Sequence, residues 1–342
     1  MELSLEHRGA AHCENGTISA LMRFHGIDLS EPMIFGLSRG LYFTHLPFVK
    51  LGGLPVTSFR YLPGVFFTRI TKTLGIEAKM RRFLSRRRAM EKLDSILEEG
   101  KPVGCVVGMY YLPYLPKEYR FHFNGHNICV IGKDETLRQY AVLDSNTTQK
   151  VYLGARDMER VRFAKGGAYP LFGQMYWIEK VPEKMPDLKP LILRAIRKTC
   201  RAMLCPPPLV HNLGIKGMYF LSSRIRLWEK KMGTHKALMN LAQLVRMLEE
   251  IGTGGAGFRF LYGAFLQEAS IVTGISELQD FSVRITGIGD MWRNFSLQSS
   301  RKFKKRASSD ITFEKLGDMV KDIADAEKMF FTDLYKVVER YL

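Results

Sequence analysis

The stretch His12-Cys13-Glu14-Asn15-Gly16-Thr17-Ile18-Ser19-Ala20-Leu21-Met22 decides how the first half of this chain folds. Ile18, Leu21, Met22 and Phe24 recur at helical spacing and Gly26 ends the run, so a helix begins at or just after Cys13. A helix N-terminus directs unpaired N–H groups and the positive end of its dipole at the first residues. That setting favours thiolate over thiol and can hold an oxyanion.

Two downstream segments offer the thiol its partners. Asn127-Ile128-Cys129-Val130-Ile131, with Gly125-His126 at its head, and Tyr140-Ala141-Val142-Leu143, followed by Asp144, read as strands. The polar residues Gly132–Arg138 join them as an antiparallel hairpin. A turn centred near Glu135, midway between 126 and 144, sets His126 opposite Asp144. Cross-strand neighbours have Cβ atoms roughly 4.5–5.5 Å apart, near enough for a carboxylate to fix an imidazole tautomer. Cysteine, base and orienting acid then follow in the order Cys13, His126, Asp144.

Each of the three also has a plainer use. A lone cysteine is usually a small buried hydrophobe, as Cys105, Cys129, Cys200 and Cys205 are expected to be. A histidine after glycine can simply end a strand, and an aspartate before Ser-Asn commonly starts a turn. The joint arrangement is what points to a thiol enzyme.

Composition sets the outer limits. At 342 residues, 46% hydrophobic and 25% charged, the chain suits a soluble globular protein of two domains, or of one catalytic domain with a large helical addition. No run reaches the roughly 18 apolar residues of a membrane span. The polar opening Met1–Arg8 has no secretory pattern, and five cysteines without metal-like spacing fit a reducing cytoplasm with no metal site. The net charge of +17 gathers at Lys79, Arg81, Arg82 and Arg86–Arg88, along Leu191–Arg201, and at Arg301, Lys302 and Lys304–Arg306. Such faces attract anionic lipid or acidic proteins, or are merely solvated. No nucleic-acid signature accompanies them, so nucleic acid ranks last.

Along the chain, Ser30 is a candidate cap for a short helix carrying Pro32, and Leu41-Tyr42-Phe43 a candidate strand. Residues 46–67, rich in Pro, Gly and aromatics, suit a substrate-channel loop or irregular core. A helix over Arg86–Glu99, a buried strand at Pro102–Gly108, an aromatic loop at Met109–Pro116 leading toward the His126 hairpin and a last strand at Gly173–Ile178 make the first half α+β. Val181–Asp187 looks like a linker. Domains are therefore expected at 1–182 and 188–342, the second all-α, with breaks at Pro206–Pro208, Gly252–Gly255 and Ala307–Asp310 and a cap for the last helix at Ser308-Ser309-Asp310. The loop Gly252-Thr253-Gly254-Gly255, with Arg259 beyond it, is either a phosphate or pantetheine contact or a close-packed helix–helix turn. It lacks the Lys-Ser/Thr of a P-loop.

His12-Cys13-Glu14-Asn15-Gly16-Thr17, the stretch Phe35-Gly36-Leu37-Ser38-Arg39-Gly40-Leu41-Tyr42-Phe43, Gly125–Gly132 and the strand ending at Asp144 resemble the N-terminal domain of the butirosin-biosynthesis H family. Ile251–Gly255 with Phe258-Arg259 and Phe265–Ala269 resemble its helical C-terminal domain. The resemblance implies a papain-like or C39-like cysteine fold used for acyl transfer. An acyl or aminoacyl group would pass from the phosphopantetheine thioester of an acidic acyl carrier protein to an amine acceptor, as part of a biosynthesis. The family then implies Cys13 as nucleophile, His126 as general base and acid, Asp144 as the residue orienting it, and no bound cofactor. Related peptidases place a glutamine before the cysteine for the oxyanion hole. Arg8-Gly9-Ala10-Ala11-His12 supplies none, so the backbone N–H groups of Cys13 and His12 would have to serve. The alternatives are a cysteine peptidase or amidase of the same fold, and a non-catalytic protein binding a carrier or an anionic membrane.

Overall fold

The computed structural model describes residues 2–61, 63–166, 170–207, 210–251, 253–304 and 311–342. In chain order its elements are α1 (Cys13–Phe24), α2 (Glu31–Leu37), β1 (Leu41–Leu51), β2 (Leu54–Arg60), α3 (Val65–Leu74), β3 (Glu77–Arg81), α4 (Arg86–Glu98), β4 (Val103–Gly108), β5 (Asn124–Asp134), β6 (Gln139–Leu143), β7 (Val151–Gly154), α5 (Ala155–Arg162) and β8 (Met175–Lys180). The helices α6 (Leu188–Leu204), α7 (Gly214–Met232), α8 (Thr234–Glu249), α9 (Arg259–Thr273), α10 (Glu277–Phe303) and α11 (Phe313–Glu339) follow.

The chain divides into two compact units, Met1–Ile34 with Pro63–Pro186 and Phe35–Leu62 with Asp187–Leu342. The first is α+β. Its six-stranded sheet runs β3-β8-β4-β5-β6-β7 with every neighbour antiparallel. β4 and β5 lie inside the sheet, and β4 is buried along its whole length. Ile128 and Val130 of β5 join Val103, Cys105 and Val107 of β4, Leu93, Ile96 and Leu97 of α4 and Met158 and Val161 of α5 in one core. Each of the aliphatic and methionine side chains contributes about 1.5–3 kcal/mol on full burial. Helix α1 packs on β5, and Gly16, Thr17 and Ala20 line a small cavity there together with Cys129. Gly16 is required there, because a Cβ would stand 2.8 Å from that of Ala10 and 3.3 Å from that of Ser145.

The termini of these helices are set locally. The Ser30 hydroxyl accepts from the Met33 N–H at the head of α2, and the Ser85 hydroxyl from the Arg88 N–H at the head of α4. Gly100 turns the chain out of α4 at φ +74°.

The second unit departs from the expected all-α domain at one place. Residues 35–62, expected within the first domain, group with the helices, and β1 and β2 form a hairpin there rather than an irregular loop. The reason is aromatic burial: Phe43 and Phe59 pack on Trp292 of α10, with ring centroids 6.4 and 5.3 Å away. Among the described residues, 188–342 are helical apart from their turns. The last helix is capped by Thr312, whose hydroxyl accepts from the Lys315 N–H. The expected break at Ala307–Asp310 and the cap at Ser308-Ser309-Asp310 lie outside the described residues, as does Gly252. Among the described residues, no helix is long and apolar enough to cross a membrane.

Candidate active site

Cys13 is the first residue of α1 and half-buried, at the point where the sequence periodicity put a helix start. His126 lies on β5, paired with Val107 of β4, and is 2% exposed. Its Nε2 is 2.8 Å from Oδ2 of Asp144, itself 1% exposed just past the end of β6. The imidazole also shares a hydrogen bond with the Cys13 thiol. With Nε2 engaged by Asp144, Nδ1 is the ring nitrogen left for the sulfur.

The three residues come together by a different register from the expected one. The hairpin pairs Asp134 with Gln139 and Cys129 with Leu143, with a bulge between Val130 and Gly132. It is therefore centred beyond Glu135, near Thr136 and Leu137, and His126 and Asp144 are not directly opposite. They meet diagonally, as long side chains on one face can.

Burial alone would lower the imidazole's affinity for a proton, but the charges and hydrogen bonds of Asp144 and Cys13 outweigh it and push His126 up to about 10. Burial likewise works against the Asp144 carboxylate. His126, the Asn146 N–H at 2.9 Å and the Tyr114 hydroxyl at 2.8 Å nevertheless hold it below the ordinary carboxylate range. Tyr114 belongs to the aromatic loop that the sequence directed toward this hairpin. His7 Nε2 and the Thr147 hydroxyl meet the Asp144 backbone carbonyl at 2.9 Å. This is a buried acid–imidazole pair joined to a half-buried thiol. It suits nucleophilic attack on a carbonyl.

Several residues around it escaped the sequence reading. Glu14, fully buried, accepts the Gly64 and Phe66 N–H groups at 2.9 and 3.3 Å at the head of α3. The Glu31 carboxylate takes the Ala11 and His12 N–H groups at 2.9 and 2.7 Å. That bond commits the His12 N–H and removes it as an oxyanion donor. The Asn127 side-chain nitrogen lies 4.0 Å from the Cys13 sulfur. A polar residue in an otherwise apolar strand was the available signal for Asn127. Nothing local marked the two glutamates.

Of the two readings of the glycine-rich turn, its described residues fit the close-packed helix–helix turn. Arg259 is fully buried and forks onto Glu327 through Nε and Nη2, both at 2.9 Å, while Nη1 donates to the Gly257 carbonyl at 2.7 Å. The Thr253 hydroxyl accepts from the Gly255 N–H at 3.0 Å, and a Cβ on Gly255 would meet Arg293 at 2.3 Å. Thr253, Gly254, Gly255 and Arg259 thus build a close-packed helix–helix turn with its cation neutralised. Cys205, expected to be buried, is exposed; all five cysteines are free thiols. Among the described residues, no group of histidine, cysteine and carboxylates is arranged to hold a metal ion.

Residues 12–145, which include Cys13, His126 and Asp144, match the model of "Butirosin biosynthesis protein H, N-terminal". Residues 156–334 match a domain of unknown function, DUF4872. No curated protein matches. Among solved structures, the peptidase domain of Streptococcus ComA, a bifunctional ABC transporter involved in quorum sensing, aligns with 53% of this chain and 100% of that domain, at 12% identity and a TM-score of 0.31.

Proposed function

The chain belongs to the butirosin biosynthesis protein H family, a cysteine-enzyme fold followed by a helical region, and from that premise we propose that it is a cysteine-dependent acyltransferase. It moves an acyl or aminoacyl group from the phosphopantetheine thioester of an acyl carrier protein to an amine, in secondary-metabolite or lipid biosynthesis. The observation that carries the reading is the half-buried thiol at the head of α1, hydrogen-bonded to an imidazole whose Nε2 lies 2.8 Å from the buried Asp144 carboxylate.

The Cys13 sulfur adds to the thioester carbonyl, whose π pair moves onto oxygen. Collapse re-forms the carbonyl and breaks the bond to the pantetheine sulfur, which leaves with the proton from His126. The acceptor amine then adds to the acyl-enzyme, His126 takes its proton, and Cys13 departs as thiolate. Thioester and amine become amide and thiol. Asp144 holds the imidazole in one orientation throughout. Thiol-for-thiol exchange is close to isoenergetic, so the first step asks little beyond a thiolate.

Carrier proteins are acidic, and the first unit offers Arg81, Arg82, Arg87 and Arg88 around Leu84, which is 89% exposed. Exposed basic residues beside an exposed leucine in the sequence suit such a partner and should speed the encounter at low salt. A cytoplasmic setting fits the five free thiols.

Incubated with acyl-loaded carrier protein, the wild-type chain should gain the mass of the acyl group on Cys13 and lose it when an amine is added, read by intact mass spectrometry. Cys13→Ala should give no adduct and lose turnover by roughly 10³-fold or more. Transfer at the wild-type rate in that variant would replace the covalent scheme with direct attack. Cleavage of a peptide with no carrier present would favour a peptidase instead.

A further inference from the structure

A tetrahedral intermediate on Cys13 needs hydrogen-bond donors for its oxygen, and the His12 N–H is already bound to Glu31. No glutamine precedes the cysteine. The strand behind the thiol supplies a candidate. Asn127 is 1% exposed, and its amide nitrogen donates to the Gly125 carbonyl at 3.0 Å and points at the Cys13 sulfur at 4.0 Å. Its amide oxygen accepts from the Tyr176 hydroxyl at 2.8 Å.

The orientation of that amide is fixed by its neighbours. The Gly125 carbonyl accepts only, so it demands the NH2 on its side and leaves the oxygen for Tyr176. The Tyr176 phenol is fully buried, and burial first, then the carboxylate of Glu14 and the thiol of Cys13, keep it protonated and able to donate. One amide hydrogen is used by Gly125 and the second faces the sulfur. Tyr176 in turn occupies the space over Gly104, its cross-strand partner, where a Cβ would stand 2.3 Å from the ring.

A separation of 4.0 Å is long for gripping a thiolate. It suits an oxygen carried on the carbon bonded to that sulfur, which would sit to one side of the sulfur–nitrogen line and can come within the roughly 2.7–3.1 Å that an oxyanion donor needs. We propose that the side-chain amide of Asn127, held by Tyr176, is a side-chain oxyanion donor for acyl transfer at Cys13. The proposal rests on Cys13 being the nucleophile. When sulfur adds and the carbonyl π pair moves to oxygen, the second Asn127 N–H receives that charge, and it releases it when the carbonyl re-forms.

The test separates acylation, which passes through an oxyanion, from alkylation, which does not. The rate of acetylation of Cys13 by p-nitrophenyl acetate is measured beside its alkylation by iodoacetamide, both by mass spectrometry. Asn127→Ala should acetylate about 10²–10³-fold more slowly while alkylating within about twofold of wild type. Tyr176→Phe, which keeps the ring in place over Gly104, should slow acetylation by about tenfold, as expected for a lost positioning hydrogen bond. Acetylation of Asn127→Ala at the wild-type rate overturns the proposal. If alkylation falls along with it, Tyr176→Phe decides: selective loss of acetylation supports the role and no loss overturns it. A wild-type protein that alkylates at Cys13 but is never acetylated there would instead sink the nucleophile assignment, and the donor role with it.

Discussion

Both units bury a charged pair, His126 with Asp144 in the first and Arg259 with Glu327 in the second, and the two are put to opposite uses. Each nitrogen of Arg259 is engaged: two bonds go to Glu327 and one to a backbone carbonyl, with flanking rings of Phe59 and Trp292 within 5.5 and 5.7 Å. Glu327 also accepts from the Trp292 indole at 2.9 Å. Nothing in that cluster reaches solvent, so it can lock β2, α9, α10 and α11 together but has no group to offer a substrate. The His126–Asp144 pair ends on a cysteine that is only partly buried. A buried ion pair points to chemistry when one end of its hydrogen-bond chain is both reactive and reachable. Sealed at both ends, it is architecture.

The comparison breaks if the two pairs respond alike to losing their acid. Glu327→Gln leaves the Arg259 charge buried without its counter-ion, and should cost about 3–5 kcal/mol in urea unfolding. A cost below about 1 kcal/mol would mean the cluster is less sealed than described. Asp144→Asn should act on chemistry and pH dependence. With Asp144 present, His126 is raised to about 10, so the stability due to its proton is complete below about 6.5 and is lost as pH rises through about 10. Removing the carboxylate should bring that loss, and the alkaline limb of Cys13 acylation, down by about 1–3 pH units. An unmoved alkaline limb would show that Asp144 does not set the protonation of His126.

The sequence showed the parts of this site that are local. A helical stripe beginning at Cys13 and two strands flanking a polar turn suffice to bring His126 and Asp144 within reach, even though a bulge after Val130 shifts the register. Two positions apart on one face, long side chains still meet. Contacts that depend on distant segments were not legible. The commitment of Arg259 to Glu327 spans 68 residues, and Asn127 to Tyr176 spans 49, with no periodicity linking either pair. The hairpin of β1 and β2 was obscured by its Pro- and Gly-rich composition, and its place beside the helices is decided by Phe43 and Phe59 packing on Trp292.

The central claim is that His126 and Asp144 make a reactive nucleophile of Cys13, and the exposed Cys205 provides an internal standard for it. The measurement is the iodoacetamide alkylation rate of each cysteine at pH 7, resolved by peptide mass spectrometry, in wild-type protein and in His126→Ala. The account predicts that Cys13 reacts faster than Cys205 despite its lesser exposure, and that His126→Ala abolishes this lead while leaving Cys205 unchanged. Cys205 reacting faster in the wild type, with Cys13 indifferent to the loss of His126, would contradict it.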